Sequence, residues 1–325
     1  MLVDRFGRRA RKLRISVTDR CNFRCIYCMP EDVAFKDRAE LLTFEEIERV
    51  ARVAVGLGIE KIRLTGGEPL ARREVEHLVR RLAAIPGLHS VSMTTNGYFL
   101  SEKAAALKDA GLRGINISLD TLDEARFLLL TRRDYLRAVL EGIEAALAAG
   151  LEPVKINMVV MRGYNDDEVE TFAALARSRP LVVRFIEFMP LDNGDVWSND
   201  FVVPAREILA RAAAVAPLVP VDHDPSDPAR RYRFADGRGE IGVIASVTEP
   251  FCARCDRLRL TADGKLRNCL FGLQEYDVRA VLRSGGSDEE IAAVFGEAVA
   301  QKWAGHLINR EGFVKPERTM HAIGG

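Results

Sequence analysis

The sequence predicts an α/β fold: a partial barrel of six strand–helix units, (β/α)6 in type, followed by a C-terminal α+β extension. Three observations carry this reading. A strand-then-helix alternation runs from about residue 13 to 190, which implies parallel strands with right-handed crossovers. The strands show a period-2 pattern with polar residues on one face. Beyond residue 190 the alternation gives way to turn-rich segments and a hairpin. A doubly wound sheet is the alternative arrangement.

The strands are expected at residues 13–17, 61–64, 90–94, 114–119, 154–160 and 181–187. Between the first two, Thr43-Phe44-Glu45-Glu46 is a capping box. It opens a helix with Ile47, Val50, Ala51, Ala54 and Val55 on one face, stopping at Gly56–Gly58. Another helix starts at Ser101 and ends at Gly111, and a third spans 134–149 before Gly150. In strand 61–65, Ile62 and Leu64 share one face while Arg63 and Thr65 share the other. Thr94 and Asn96, then Asn116, Ser118 and Asp120, then Lys155 and Asn157 repeat the pattern. A closed barrel fills its interior with branched apolar side chains, so this pattern points to a wide, wet interior that receives a polar ligand. A sheet with one solvated face is the alternative, although parallel sheets are usually covered on both. Residues 190–194 and 222–228 are turn-rich, and 232–234 with 240–246 reads as a hairpin around Asp236-Gly237. Two or three helices follow Gln274. The expected division is a barrel over 1–190 and an extension over 191–325.

Composition narrows the function classes. Lys plus Arg equal Asp plus Glu at 47 each, so no global field draws in nucleic acid or anionic membrane. An anionic ligand must be held by a local basic cluster. No apolar run reaches membrane-spanning length and the basic start of the chain lacks a hydrophobic stretch, so a cytoplasmic protein without a secretory signal is expected. The six cysteines are then metal ligands or free thiols before they are disulfides.

All six fall into two triplets. Cys21, Cys25 and Cys28 form a C-x3-C-x2-C run in the loop after the first strand. Three thiolates so close together wrap one cubane cluster and leave its fourth iron open to a small molecule. A zinc knuckle is the alternative, but it wants a fourth ligand, and the next histidine is His77. Cys252, Cys255 and Cys269 form a C-x2-C-x13-C triplet, again without an obvious fourth ligand. It reads as a second cluster with an open iron, with zinc completed by the distant His306 or His321 as the alternative. Arg257 and Arg259 stand beside this triplet, where guanidinium forks suit phosphate oxygens, and Arg14, Arg63 and Lys155 add charge at interior strand positions. A nucleoside triphosphate is the natural occupant. Taken singly, each is equally an exposed ion-pair partner.

The first triplet, with Tyr27 before its last cysteine, and Thr65-Gly66-Gly67-Glu68-Pro69 after the second strand resemble the radical S-adenosylmethionine (SAM) superfamily. The resemblance implies a radical SAM core in which SAM's amino and carboxylate groups chelate the open iron. An electron from the cluster then cleaves SAM to a 5′-deoxyadenosyl radical. In that reading the glycines let backbone approach the SAM amino group, and Glu68 counters its charge.

From Arg14 to the Gly324-Gly325 terminus the chain resembles the GTP 3′,8-cyclase family of molybdenum cofactor biosynthesis. The segments 13–21, 63–69, 93–97, 115–120, 154–157, 184–189 and 251–259 carry the resemblance. It implies two 4Fe-4S clusters, SAM contacts from Tyr27, Gly67, Ser118 and Met189, and GTP contacts from Arg14, Arg63, Thr94, Lys155, Arg257, Leu258 and Arg259. Guanine would bind the C-terminal cluster, and the adenosyl radical would take the ribose C3′ hydrogen. The C3′ radical would then attack C8 to give 3′,8-cyclo-7,8-dihydro-GTP. Arg14, Arg257, Arg259, Gly324 and Gly325 are the implied catalytic set, the glycine tail being a strip that enters the site. A reducing electron donor, a downstream pyranopterin-forming protein and a homodimer are the implied partners. Another twin-cluster radical SAM enzyme, such as a peptide-modifying maturase, and a non-enzymatic iron–sulfur or zinc protein are the rival readings. The stretch 126–133 is rich in Leu and Arg, and 218–222 shows no motif.

Overall fold

The computed structural model describes residues 1–192 and 196–324. The first-half strands are β1 (Lys12–Ser16), β2 (Lys61–Thr65), β3 (Ser90–Thr95), β4 (Gly114–Ser118), β5 (Val154–Val160) and β6 (Val182–Glu187). They pair in chain order, all parallel. Each expected strand is present to within one residue at either end. Strand order never reverses along this run, which rules out the doubly wound alternative.

The crossovers carry α1 (Phe44–Gly56), α2 (Val75–Ala83), α3 (Leu100–Asp109), α4 (Glu124–Thr131), α5 (Leu136–Ala148) and α6 (Val169–Ser178), with α7 (Ala205–Val215) after β6. The capping box of α1 is formed: Glu46 N–H donates to Thr43 Oγ1 at 3.1 Å and Thr43 N–H to Glu46 Oε2 at 2.7 Å. Its buried face is Ile47, Val50, Ala51 and Ala54. Against such faces the strands turn Leu13, Ile15, Ile62, Leu64, Ile115, Ile117 and Ile156, all fully buried. Burial of each such side chain stabilises by roughly 1.5–3 kcal/mol, so this helix–sheet layer is the main source of stability.

The C-terminal half contributes β7 (Leu218–Val221), β8 (Arg230–Phe234), β9 (Glu240–Ile244), β10 (Arg257–Leu260), β11 (Lys265–Arg267) and β12 (Tyr276–Asp277). It also contributes α8 (Val278–Arg283), α9 (Asp288–Ala300) and α10 (Met320–Ile323). The expected hairpin is β8–β9. This half joins the sheet at both ends. β9 adds parallel to β6 and β10 adds parallel to β1, so eight parallel strands run side by side. The pairs β11–β12 and β8–β7 extend the two edges antiparallel. Residues of β9 and β10, at opposite ends of the parallel run, border one cavity, so the sheet curves round a central space. Strand β7, where no motif was seen, is an edge strand containing Pro220, which edge positions tolerate.

Gly142 of α5 lies against the turn at Gly97 that leads into α3. A Cβ there would collide with the Gly97 carbonyl oxygen and lie 3.0 Å from Leu100 Cβ. Gly142→Ala therefore destabilises the protein by about 1–3 kcal/mol, the usual cost of overpacking, seen as a lower urea midpoint. An unchanged midpoint would contradict this packing.

Candidate active site

The loop after β1 carries Cys21, Cys25 and Cys28, and the loop after β2 carries Gly66-Gly67-Glu68. The two are stitched together: Gly67 N–H donates to Thr18 O at 2.7 Å and Glu68 N–H to Arg20 O at 2.7 Å. A Cβ on Gly66 would stand 2.5 Å from Thr18 O, and one on Gly67 would overlap the backbone of Arg20. The glycines are thus required by loop-on-loop contact, besides leaving Gly67 on the cavity wall.

Glu68 is engaged within the protein. Its side chain is fully buried and accepts from Leu70 N–H (2.9 Å), Thr95 Oγ1–H (2.7 Å) and Asn96 N–H (2.6 Å), away from the cavity lining. Burial pushes its carboxyl up to about 7 against the pull of these donors. It ties the glycine loop to β3. Leu258 points away from its two arginine neighbours. Its side chain is fully buried in the outer core beside Leu13, because alternation on β10 points Arg257 and Arg259 inward and Leu258 outward.

The remaining expected residues converge. One chamber is lined by all six cysteines together with Tyr27, Gly67, Thr94, Ser118, Met189, Arg14, Arg257 and Arg259. Tyr27 Oη–H donates to Asp120 Oδ2 at 2.5 Å, and Asp120 Oδ1 accepts Val159 N–H at 2.8 Å, which fixes the ring beside Cys28. Burial raises Asp120 to about 6. A second space, a funnel at the N-terminal ends of the strands, is lined by Arg14, Arg63, Lys155, Arg184 and Arg257. Arg14, Arg184, Arg257 and Asn116 border both spaces, so the two are contiguous.

Pairing register explains the concentration of charge. Arg259, Arg14 and Arg63 are direct partners on β10, β1 and β2, so three guanidiniums leave one face of adjacent strands. Strands lie about 4.8 Å apart, which leaves little room between such groups. Burial, then Arg259, Arg257, Arg63 and Arg184, hold Arg14 well below the usual arginine range. Burial lowers Arg63 to about 10 and, together with Arg63, lowers Arg184 to about 9. Burial and Arg257 bring Arg259 to about 9, and burial with Arg184 and Arg63 brings Lys155 to about 8. Arg63 Nη1 is buried without a partner. An anion is the group this site lacks. Arg184 begins the 184–189 segment but is not among the contacts the resemblance implies. Its signal was its inward position on β6, and Asn157 Oδ1 now accepts from its Nε (2.9 Å) and Nη2 (2.6 Å).

The thiols differ between triplets. Burial pushes Cys21 and Cys28 up to about 12 and Cys25 well above the usual range. Burial also raises Cys255, yet Arg257 and Lys302 outweigh it and bring the thiol to about 6. All six are free of disulfides. His306, the nearer zinc alternative, sets Nε2 2.8 Å from Ser246 O. Among the described residues no group of three or more His, Cys, Asp or Glu is set to hold a single metal ion. The donor sets, three thiols each with one wall left open to the chamber, fit iron–sulfur cubanes.

The C-terminal tail reaches the same place. Gly324 O accepts from Arg259 Nη1, and a Cβ on Gly324 would lie 2.6 Å from Thr65 Oγ1 and 3.2 Å from Ser16 Cβ. Met320 and His321 line the chamber. Gly325, the other expected tail residue, lies outside the described residues.

A parallel half-barrel with a three-thiol loop beside a Gly-Gly turn defines the class. The family model described as "Radical SAM superfamily" matches residues 15–176, and "Molybdenum Cofactor Synthesis C" matches residues 181–308. Streptococcus suis SuiB, in a crystal structure bound to S-adenosylmethionine, superposes with a TM-score of 0.63 at 12% identity, covering 88% of this chain and 68% of its own. This likeness concerns the fold. GTP 3′,8-cyclase of Moorella thermoacetica is 52% identical over 99% of both chains. Those of Pelotomaculum thermopropionicum and Rhodopirellula baltica are 49% and 48% identical, over 99% of each chain and over 100% of this chain and 92% of the other. The chain belongs to the GTP 3′,8-cyclase family.

The lysine yields a pH prediction. In the free protein Lys155 loses its proton near 8, whereas a bound polyphosphate keeps it charged. Affinity supplied by this group is full below about pH 8 and falls as pH rises beyond it. Between pH 7 and 9 the loss is about tenfold, since each unit above the pKa costs up to a factor of ten. Wild-type GTP affinity, measured by equilibrium dialysis, should fall by that factor more than the affinity of Lys155→Met. Parallel pH profiles would show that Lys155 does not meet the anion.

Proposed function

We propose that this chain is a radical SAM GTP 3′,8-cyclase, converting GTP to 3′,8-cyclo-7,8-dihydro-GTP in the first step of molybdenum cofactor biosynthesis. The observation that carries this reading is the shared wall of Arg14, Arg184 and Arg257 between a six-thiol chamber and a funnel in which basic groups outnumber the acidic Asp227, Glu152 and Glu240. A nucleotide lying across that wall has its base among thiols and its polyphosphate among guanidiniums.

Cys21, Cys25 and Cys28 would hold one 4Fe-4S cluster, and Cys252, Cys255 and Cys269 the other. Held there, the first cluster would supply the one electron that reductive cleavage of SAM to methionine and a 5′-deoxyadenosyl radical requires, and that radical would take the C3′ hydrogen. Every other contribution is the protein's own. Tyr27, braced by Asp120, together with Gly67, Ser118 and Met189 would orient SAM in the upper chamber. Arg14, Arg63, Lys155 and Arg184 would bind the triphosphate, each regaining a counter-charge that the free site withholds. Thr94 would fix the ribose between the two, so that C3′ faces the adenosyl group while C8 stays within reach. Arg257 and Arg259, beside the second triplet, and the tail at Gly324 would steady the charge of the cyclising nucleotide.

A low-potential electron donor, a downstream pyranopterin-forming protein and a homodimer complete the reading. No helix among the described residues is long and apolar enough to cross a membrane, and the cytoplasm, where thiols stay reduced, suits the two clusters.

Anaerobic incubation of reconstituted protein with SAM, a reductant and C3′-deuterated GTP tests the reaction. Deuterium in 5′-deoxyadenosine and a cyclised nucleotide product are expected. Unlabelled 5′-deoxyadenosine, formed equally without GTP, would refute the proposal. Metal analysis should find about eight irons per chain, from two four-iron clusters. Cys28→Ala should abolish SAM cleavage, whereas Cys269→Ala should retain it and lose GTP turnover. Equal losses in both assays would undo this division.

A further inference from the structure

The first ten residues precede the barrel, yet they contact the second thiol triplet. Leu2 to Ala10 form a small closed loop, with Val3 bridged to Arg9 and Ala10 N–H donating to Leu2 O at 2.9 Å. Within it Asp4 is fully buried. Its Oδ1 accepts from the N–H groups of Phe6 (2.9 Å) and Arg8 (3.0 Å), and its Oδ2 from Arg8 Nε (2.6 Å). This leaves the outer nitrogens of the buried Arg8 pointing away from the loop. Nη1 donates to Cys252 O at 2.7 Å and to Ala304 O at 2.9 Å, and Nη2 donates to Trp303 O at 2.5 Å.

The segment that Arg8 grips wraps the same triplet from its other side. The buried Lys302 donates to Asn268 O (2.9 Å), just before Cys269, and to Arg257 O (2.6 Å), two residues after Cys255. Gly305 packs on Cys252, where an added Cβ would sit 3.0 Å from the cysteine Cβ. Backbone around all three thiols is therefore held by two buried cations that meet at residues 302–304. None of these donors reaches the chamber's reacting space, which neither Arg8 nor Lys302 lines.

We propose that Arg8, aimed by Asp4, is a positioning residue for the second cluster: it sets the Cys252 loop so that the open iron faces the nucleotide base. This inference rests on the two-cluster reading above. A surface ion pair would not need a buried carboxylate saturated by three donors, nor three backbone carbonyls as targets. Groups that orient metal ligands commonly change affinity or activity by about 10–100-fold when removed.

Arg8→Met keeps the alkyl stem but removes the donors. Because it leaves the buried Asp4 with two backbone donors but no counter-charge, the double variant D4N/R8M is measured beside it, with Arg8→Lys as the conservative rescue. Reconstituted holoenzymes are compared by electron paramagnetic resonance of the reduced clusters with SAM or GTP added, and by GTP affinity. In both Met variants the SAM-dependent signal of the first cluster should stay as in wild type. The GTP-dependent change of the second should disappear, and GTP affinity should fall about tenfold or more. Arg8→Lys should recover part of both. A GTP response and affinity within twofold of wild type would overturn the proposal, as would equal loss of both cluster signals, which indicates a general folding role. A wild-type enzyme without any GTP response would defeat the two-cluster reading, and this inference with it.

Discussion

The structure depends on holding like charges together inside a sheet. Arg259, Arg14 and Arg63 are in register on adjacent strands, with Lys155, Arg184 and Arg257 facing the same space. At an effective dielectric of about 20, two unit charges roughly 6 Å apart repel by about 3 kcal/mol. A free chain would relieve that by spreading. This one does not, because each guanidinium stands on a strand whose opposite face is locked into the apolar helix layer. The sheet's hydrogen bonds fix the spacing, and the outer core fixes the sheet. A polyanion entering this space meets donors that are already aimed and need no reorganisation.

The same closure brings the two ends of the chain to one chamber. Cys21 follows β1, Cys255 precedes β10, and β10 is the parallel neighbour of β1. The two thiol triplets, more than two hundred residues apart, become walls of one space because the C-terminal half completes the sheet. The tail then inserts between them, with Gly324 packed on Ser16 and Thr65 and bonded to Arg259. Glycine is required there, since a side chain would strike the strand ends and its φ of +81° favours a residue without Cβ. Strain, charge and closure thus meet at one place, the end of β1.

Electrostatic contrast distinguishes the two thiol sites. The first triplet lies in a buried setting with Glu68 and Asp120 nearby, whereas the second has Arg257 and Lys302 beside Cys255. Cluster charge and hydrogen bonds to sulfur set iron–sulfur reactivity, so two triplets of the same size need not behave alike. The two triplets are distinguished by their surroundings more than by their ligands.

Much of this was legible in the chain. The six parallel strands, the polar inner face and both thiol triplets follow from periodicity and spacing, which are local and survive without knowledge of partners. The hydrogen bonds of Glu68 were not legible, because a carboxylate after two glycines looks the same whether it faces a ligand or caps a turn. Only the positions of Leu70, Thr95 and Asn96 decide. Motif membership says nothing of the direction of the Leu258 side chain, while strand alternation does. Arg184 escaped notice because one arginine on a short strand carries no signal until its neighbours are known. Alternation, caps and ligand spacing were therefore determined by sequence alone. The joining of β9 and β10 to the barrel, the crowding of guanidiniums and the reach of Arg8 to Cys252 were decided by tertiary structure, since each depends on contacts between residues far apart along the chain.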